Sequence, residues 1–370
     1  MTYELTSFFS LLRYSIGTSV FPPEIPQDEW ENVYRTAQQQ SLQGLLFDGI
    51  QKMESPNLCR ELLLKWYAVS GQIKKNNEKA NIIAVKVTEF FHEKGFRSCI
   101  LKGQGNALNY SNAYARTSGD IDIWLEGGRK RVMQFANRSW NGLKMRYHHV
   151  EIPDVNGIPV EVHFMPSFMH NPWLNRRWQD WFKEQSNEQF CNKVDLLGQG
   201  DVCVPTNSFN VVYQMNHIYR HLFSEGIGLR QIVDYYYVLR KLRVDCTEEG
   251  QLVKVTDNEE LVKTLEHLGI RKFAGALMWV LHEVLGMKND WMLVPPNEKE
   301  GRFLLEEIMI GGNFGQYDTR LGSKKDEGKF RRYLRMTIRN FRIASHYPAE
   351  ALCEPVFRTW YFFWRMWHKH

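Results

Sequence analysis

Gly119-Asp120-Ile121-Asp122-Ile123-Trp124-Leu125 alternates polar and apolar side chains with a period of two, the pattern of a β-strand with one face on a core. Asp120 and Asp122 then project from the same face, while Ile121 and Ile123 point inward. Upstream, Ser98-Cys99-Ile100-Leu101 is a second short apolar run, ending in Lys102-Gly103, after which a short helix begins. Downstream, Gly127-Gly128 opens a helical stretch over about 129–140. Strands over 147–152 and 158–164 flank Asp154-Val155-Asn156-Gly157, whose Asn-Gly is a hairpin signal. Residues 96–165 are therefore expected to form a small α/β unit.

On both sides the period returns to three and four, as in Trp30, Val33, Tyr34 and in Leu62, Leu63, Trp66, Tyr67. Phe21-Pro22-Pro23-Glu24-Ile25-Pro26 separates a first helix, from Thr2 onward, from a second. Residues 76–94 read as one amphipathic helix with Ile82, Ile83, Val87 and Phe90 on one side and Gly95 as its stop. Further helices are expected over 209–223, 229–242, 259–268, 272–285 and 331–342, with Gly226-Ile227-Gly228 breaking the first two apart. Gly311-Gly312-Asn313-Phe314-Gly315 reads as a loop able to approach a ligand. The expected class is α+β: a helical region over 1–95, the small mixed-sheet core over 96–165, and a helical region over 166–370, with a cleft at their junction.

Composition narrows the function. The chain has 370 residues, 43% hydrophobic and 24% charged, enough for a substantial core and too apolar for wholesale disorder. An excess of five positive charges permits anionic ligands without calling for nucleic acid, and no basic stripe or RNA module is evident. Six cysteines without a C-x-x-C spacing point to reduced thiols. No apolar run reaches the roughly 18 residues of a membrane span, and Glu4 near the N-terminus suits a starting helix better than a signal peptide. A cytoplasmic protein is expected.

Carboxylates on an apolar strand are costly unless hydrated, paired or bound to a cation. Glu161, in Pro159-Val160-Glu161-Val162-His163-Phe164, lies on another alternating strand that could bring a third carboxylate to Asp120 and Asp122. Three such donors suit Mg²⁺, which keeps waters and takes substrate phosphates as its other ligands. Lys102-Gly103 before a short helix could receive a phosphate, Arg116 could grip one bidentately, and Ser118 and Gly119 sit directly before the acids. Solvated acids on an edge strand are the plainer account of the same triplet.

The run Leu101-Lys102-Gly103, then Arg116-Thr117-Ser118-Gly119-Asp120-Ile121-Asp122-Ile123-Trp124, then Val160-Glu161-Val162-His163 resembles the core of the uncharacterised bacterial nucleotidyltransferase family, within the DNA-polymerase-β-like superfamily. The resemblance covers residues 96–165, with a weaker likeness in Gly228-Leu229-Arg230-Gln231-Ile232-Val233-Asp234 and in the 311–315 glycine loop. It implies that Asp120, Asp122 and Glu161 hold two Mg²⁺ ions and that a nucleoside triphosphate lies over the first turn, near Lys102, Gly103, Arg116, Ser118 and Gly119. One departure stands out: Lys102-Gly103 replaces the superfamily's Gly-Ser turn, at a longer spacing from Asp120. The implied activity is transfer of a nucleoside monophosphate to an unidentified acceptor. The departure favours the alternative, a non-catalytic relative that binds a nucleotide or a protein partner.

His217 and His221, four apart on a helix, are metal ligands, substrate contacts or, in the simpler account, packing residues. Arg230 and Asp234 are an intrahelical ion pair or line the cleft. His163 is expected to orient Glu161 or touch the metal. His148-His149 are expected to face solvent or neighbouring strands, without a role. Phe357, Trp360, Tyr361, Trp364 and Trp367 form a helical stripe that packs on the body or on a partner subunit, and the basic run from Lys324 to Arg342 reads as a solvated helix face.

Overall fold

The alternating run around Asp122 becomes β2 (Ile121–Leu125), one strand of a five-stranded mixed sheet. The structure, a computed structural model, describes residues 6–246, 252–254, 258–320 and 328–367. Thr2 to Leu5, Lys324 to Glu327 and His368-Lys369-His370 lie outside the described residues. The N-terminal region is α1 (Thr6–Ile16), α2 (Trp30–Gln39), α3 (Gln43–Ile50) and α4 (Arg60–Glu93). The core adds β1 (Ser98–Ile100), α5 (Gln104–Ala107), α6 (Gly128–Ser139), β3 (Lys144–Met145), β4 (His149–Val155) and β5 (Ile158–His163). The order across the sheet is β1-β2-β5-β4-β3, with β2 and β5 parallel and every other pair antiparallel.

C-terminal to the sheet come α7 (Pro172–Gln189), the hairpin β6 (Lys193–Asp195) and β7 (Asp201–Cys203), α8 (Asn207–Phe223) and α9 (Leu229–Arg243). A second hairpin of β8 (Val244–Cys246) and β9 (Leu252–Lys254) leads to α10 (Glu259–His267), α11 (Arg271–Glu283), α12 (Glu298–Gly311), α13 (Lys329–Ala344), α14 (Pro348–Ala351) and α15 (Cys353–Trp367). The molecule is thus α+β, a mixed sheet with helical flanks.

Three helical expectations are corrected. α4 is one 34-residue helix and does not begin near residue 76. Gly71, inside it, costs about 1 kcal/mol relative to Ala, too little to break a helix anchored at Trp66 and Phe91. Ile82 is 40% exposed, whereas Ile83 and Val87 are buried. α7 and α12 escape the periodicity reading, although each starts at a capping Asn: Asn171 accepts from the Trp173 and Leu174 amides, and Asn297 from that of Glu300.

The sheet separates two apolar clusters. Ile100, Ile121, Ile123, Leu125, Val150, Val160 and Val162 pack with α4 and α6 on one face. Cys99, Leu101 and Trp124, from the alternate positions, join the larger helical cluster with α1 to α3 and α7 to α12. Asp122, Glu161 and His163 have the same parity as Trp124, so they face the helical cluster rather than the α4 side. In the C-terminal stripe, Phe357, Trp360 and Tyr361 surround Tyr147, and Trp364 lies under the Arg129 guanidinium, while Trp367 is 80% exposed. The outer turns of α13 are solvated, but its Arg342 donates to buried Glu307.

Candidate active site

The parallel register of β2 and β5 sets Asp122 directly opposite Glu161. Asp122 is buried; Lys102 Nζ and His163 Nε2 each lie 2.9 Å from its Oδ1. Burial works against its charge, yet the ammonium and the imidazole prevail and hold the carboxyl well below the usual range. His163 shows the reciprocal effect: burial opposes its charge, but hydrogen bonds to Asp122 and Glu161 raise its pKa. One carboxylate oxygen each from Asp122 and Glu161 and a ring nitrogen of His163 lie within 4.8 Å of one another.

Asp120 stands one residue before β2, exposed at the mouth. The negative charge of Asp122, then partial desolvation, pushes its pKa up to about 6. Lys102 follows β1 through Leu101, and Gly103 takes a left-handed φ of +55° to start α5, whose four residues turn the chain away. The ammonium of Lys102 is aimed at the acids. Gly119 lines the cleft, and Ser118 is not among the lining residues.

The opposite wall comes from α8, α9 and the turn after α12. Gln214, His217, Arg230, Gln231, Asp234 and Phe314 close the cleft over Lys102, Arg116, Asp120 and Asp122, leaving about 50 Å³. Asp234 does not pair with Arg230. Arg116 Nε and Nη2 donate to its two oxygens at 2.7 and 2.8 Å, and the Tyr110 hydroxyl donates to Oδ1 at 2.6 Å. A planar guanidinium from 118 positions away satisfies both oxygens of a buried carboxylate, which a helical neighbour at four positions does not match. The fork of Arg116 is therefore taken by protein. Arg230 instead donates to the Thr117 carbonyl and stacks over Phe314. His217 and His221 pack edge to face, and His221 Nδ1 lies 2.9 Å from Glu225.

His148 and His149, given no role from the sequence, take the second of their two expected settings: they are buried against neighbouring strands. A bulge between Ile152 and Val155 sets His149 opposite His163, and its Nδ1 lies 3.4 Å from Glu161. Sequence reasoning missed Gln214, whereas Gln231 lies in the 228–234 likeness and Phe314 in the glycine-rich loop expected to approach a ligand. Glu161 further lines an open pocket of about 430 Å³ with Lys144, Glu151 and Asp154. No helix among the described residues is long and apolar enough to cross a membrane.

No curated protein and no solved structure matches the chain. The family described as uncharacterised nucleotidyltransferase matches residues 26–286, a span that holds the whole sheet, the acids and both cleft helices α8 and α9, and the chain belongs to that family.

Proposed function

We propose that the protein is a cytoplasmic, Mg²⁺-dependent nucleotidyltransferase that moves a nucleoside monophosphate from a nucleoside triphosphate to an acceptor oxygen or nitrogen, releasing pyrophosphate. The observation that carries this is the pairing of Asp122 with Glu161 across β2 and β5, beneath a cleft walled by Lys102, Arg116 and Arg230. The donor set fits a hard cation: three carboxylates, one of them raised to about 6 by the charge of its neighbour, which a divalent ion would relieve. Asp120, Asp122 and Glu161 would hold it. When bound, two Mg²⁺ ions neutralise phosphate charge and activate the attacking atom.

The remaining work belongs to the chain. Lys102 and Arg230 balance the triphosphate charge, and Arg116, pinned by Asp234, contributes its field from a fixed position. Glu161 takes the proton from the acceptor as its lone pair attacks the α-phosphorus and the bond to the β-phosphate oxygen breaks. The acceptor approaches from the pocket that Glu161 shares with Lys144 and Glu151. The five cysteines among the described side chains are free thiols, in keeping with a reducing compartment.

A second reading has a specific support. Lys102 already compensates Asp122 at 2.9 Å, and so narrow a cleft suits a non-catalytic relative that binds a nucleotide or a partner. Titration calorimetry of each nucleoside triphosphate with Mg²⁺, on the native protein and on Asp120→Asn, tests the proposal. Asp120 is chosen because it is exposed, so the variant should fold. Metal-dependent binding that the variant loses, with pyrophosphate released on adding acceptor extracts, is expected. Binding indifferent to Mg²⁺ and to Asp120 favours the second reading, and no binding at all overturns the first.

A further inference from the structure

Three imidazoles share the acid-bearing end of the sheet; His163 also pairs with Asp122, while His148 and His149 have no part in the transfer chemistry above. His148 immediately precedes β4, His149 is its first residue and His163 is the last of β5; all three are buried. His148 Nε2 lies 3.3 Å from His149 Nδ1, His149 Nδ1 lies 3.4 Å from Glu161 Oε2, and Glu161 Oε2 lies 3.5 Å from His163 Nε2. Ring nitrogens of the three histidines also lie mutually within 4.8 Å. Ligands about 2.0–2.2 Å from a tetrahedral ion are about 3.3–3.5 Å from one another, and these three successive contacts have that length.

A second observation is independent of those distances. His148 Nδ1, His149 Nε2 and His163 Nδ1 are buried without a hydrogen-bond partner among the described residues. They are the ring nitrogens opposite those in the contacts above, so each ring is held through one nitrogen and the protein leaves the other unsatisfied. His149 and His163 converge on the Glu161 carboxylate, and His148 joins them through His149. Imidazole nitrogens select Zn²⁺ and its transition-metal neighbours, whereas Mg²⁺ prefers oxygen.

We propose that His148, His149 and His163 form a site for a divalent transition metal of the Zn²⁺ class, with Glu161 beside it. The site adjoins the proposed transfer centre and shares Glu161 and His163 with its surroundings, but it stands on the imidazole geometry and needs no nucleotide.

The test uses the full chain, freed of metal by a chelator and titrated with Co²⁺ while the visible spectrum is recorded. One Co²⁺ per chain is expected, with the d–d bands of a nitrogen-rich tetrahedral site, displaced by one equivalent of Zn²⁺ and not by excess Mg²⁺. His148→Gln and His149→Gln should each weaken Co²⁺ binding at least about 10-fold, given that even outer-shell losses cost that much. Asp120→Asn should keep the Co²⁺ spectrum, whatever it does to nucleotide binding, so failure of the metal site and failure of the transfer proposal are read separately. Absence of saturable Co²⁺ binding, displacement by Mg²⁺, or an unchanged affinity in both Gln variants overturns the proposal. If both variants fail to fold, imidazole ¹⁵N resonances of the native protein decide. Three histidines shifting on stoichiometric Zn²⁺ uphold the site, and fewer overturn it.

Discussion

Asp120 and Asp122 are two residues apart and electrostatically opposite. Asp122 is buried and charged because Lys102 and His163 compensate it; Asp120 is exposed and raised to about 6, first by the charge of Asp122 and then by desolvation. A folded-state pKa above the unfolded value means that the native state holds the extra proton between about pH 4 and 6, so this group's contribution to stability is lost as pH rises through 6. Asp120→Asn escapes that loss. Its Tm should exceed that of the native protein at pH 7 to 8 and converge with it below about pH 4, while Mg²⁺-dependent nucleotide binding disappears. Melting curves across that range check the sign; a variant less stable than the native protein at pH 8 would contradict the raised pKa. Arg116 makes a complementary case. Arg116→Ala leaves the buried Asp234 carboxylate with only Tyr110, and should lower stability by about 3–5 kcal/mol in urea unfolding, with part recovered in Arg116→Ala/Asp234→Leu.

At the scale of elements, the turn after α12 is locked to the turn between α8 and α9. Gly315 has a left-handed φ of +60°, and a Cβ there would run into the carbonyl oxygen of Glu225. Neighbouring Phe314 lies under Arg230 in the cleft wall. Gly315→Ala should therefore cost at least about 1–3 kcal/mol and, because Phe314 shifts with it, weaken nucleotide binding measured by calorimetry. The glycines announced this turn in the sequence, as the alternation at residues 119–125 announced β2, because both are local backbone requirements. The meeting of Asp122 and Glu161 was legible to the same extent: each acid sat on a short alternating strand. Continued unbroken from Val155 opposite Ile158, the hairpin would set Val150 opposite His163. The bulge shifts that pairing by one and substitutes His149, which no periodicity foretells. The Arg116–Asp234 pair was hidden for a related reason. Spacing suggested Arg230 as the partner, and only the packing of α9 against the strand before the acids decides otherwise.

For the whole molecule, the acids sit where the face of the sheet meets the helical cluster, and the two walls belong to segments more than 90 residues apart in the chain. About 50 Å³ between them is room for a water or two, far below the roughly 300 Å³ at which small-molecule sites begin. A triphosphate can enter only if the walls part, and the bonds that join them are the Arg116–Asp234 pair, the Tyr110 hydroxyl's bond to Asp234 and the Arg230 bond to the Thr117 carbonyl. All three are polar bonds at the edge of the apolar packing, so opening should leave both clusters intact. Hydrogen exchange followed by mass spectrometry, with and without Mg²⁺ and a non-hydrolysable nucleoside triphosphate, should accordingly change at 102–107, 228–234 and 313–317 and stay constant in α4 and α11. Arg230→Met removes one of the three contacts, and it should raise exchange at those same segments before any nucleotide is added. Uniform protection across the chain, or none in these three segments, would mean that the ligand binds elsewhere and that the cleft above Asp122 is a packed interface between sheet and helices.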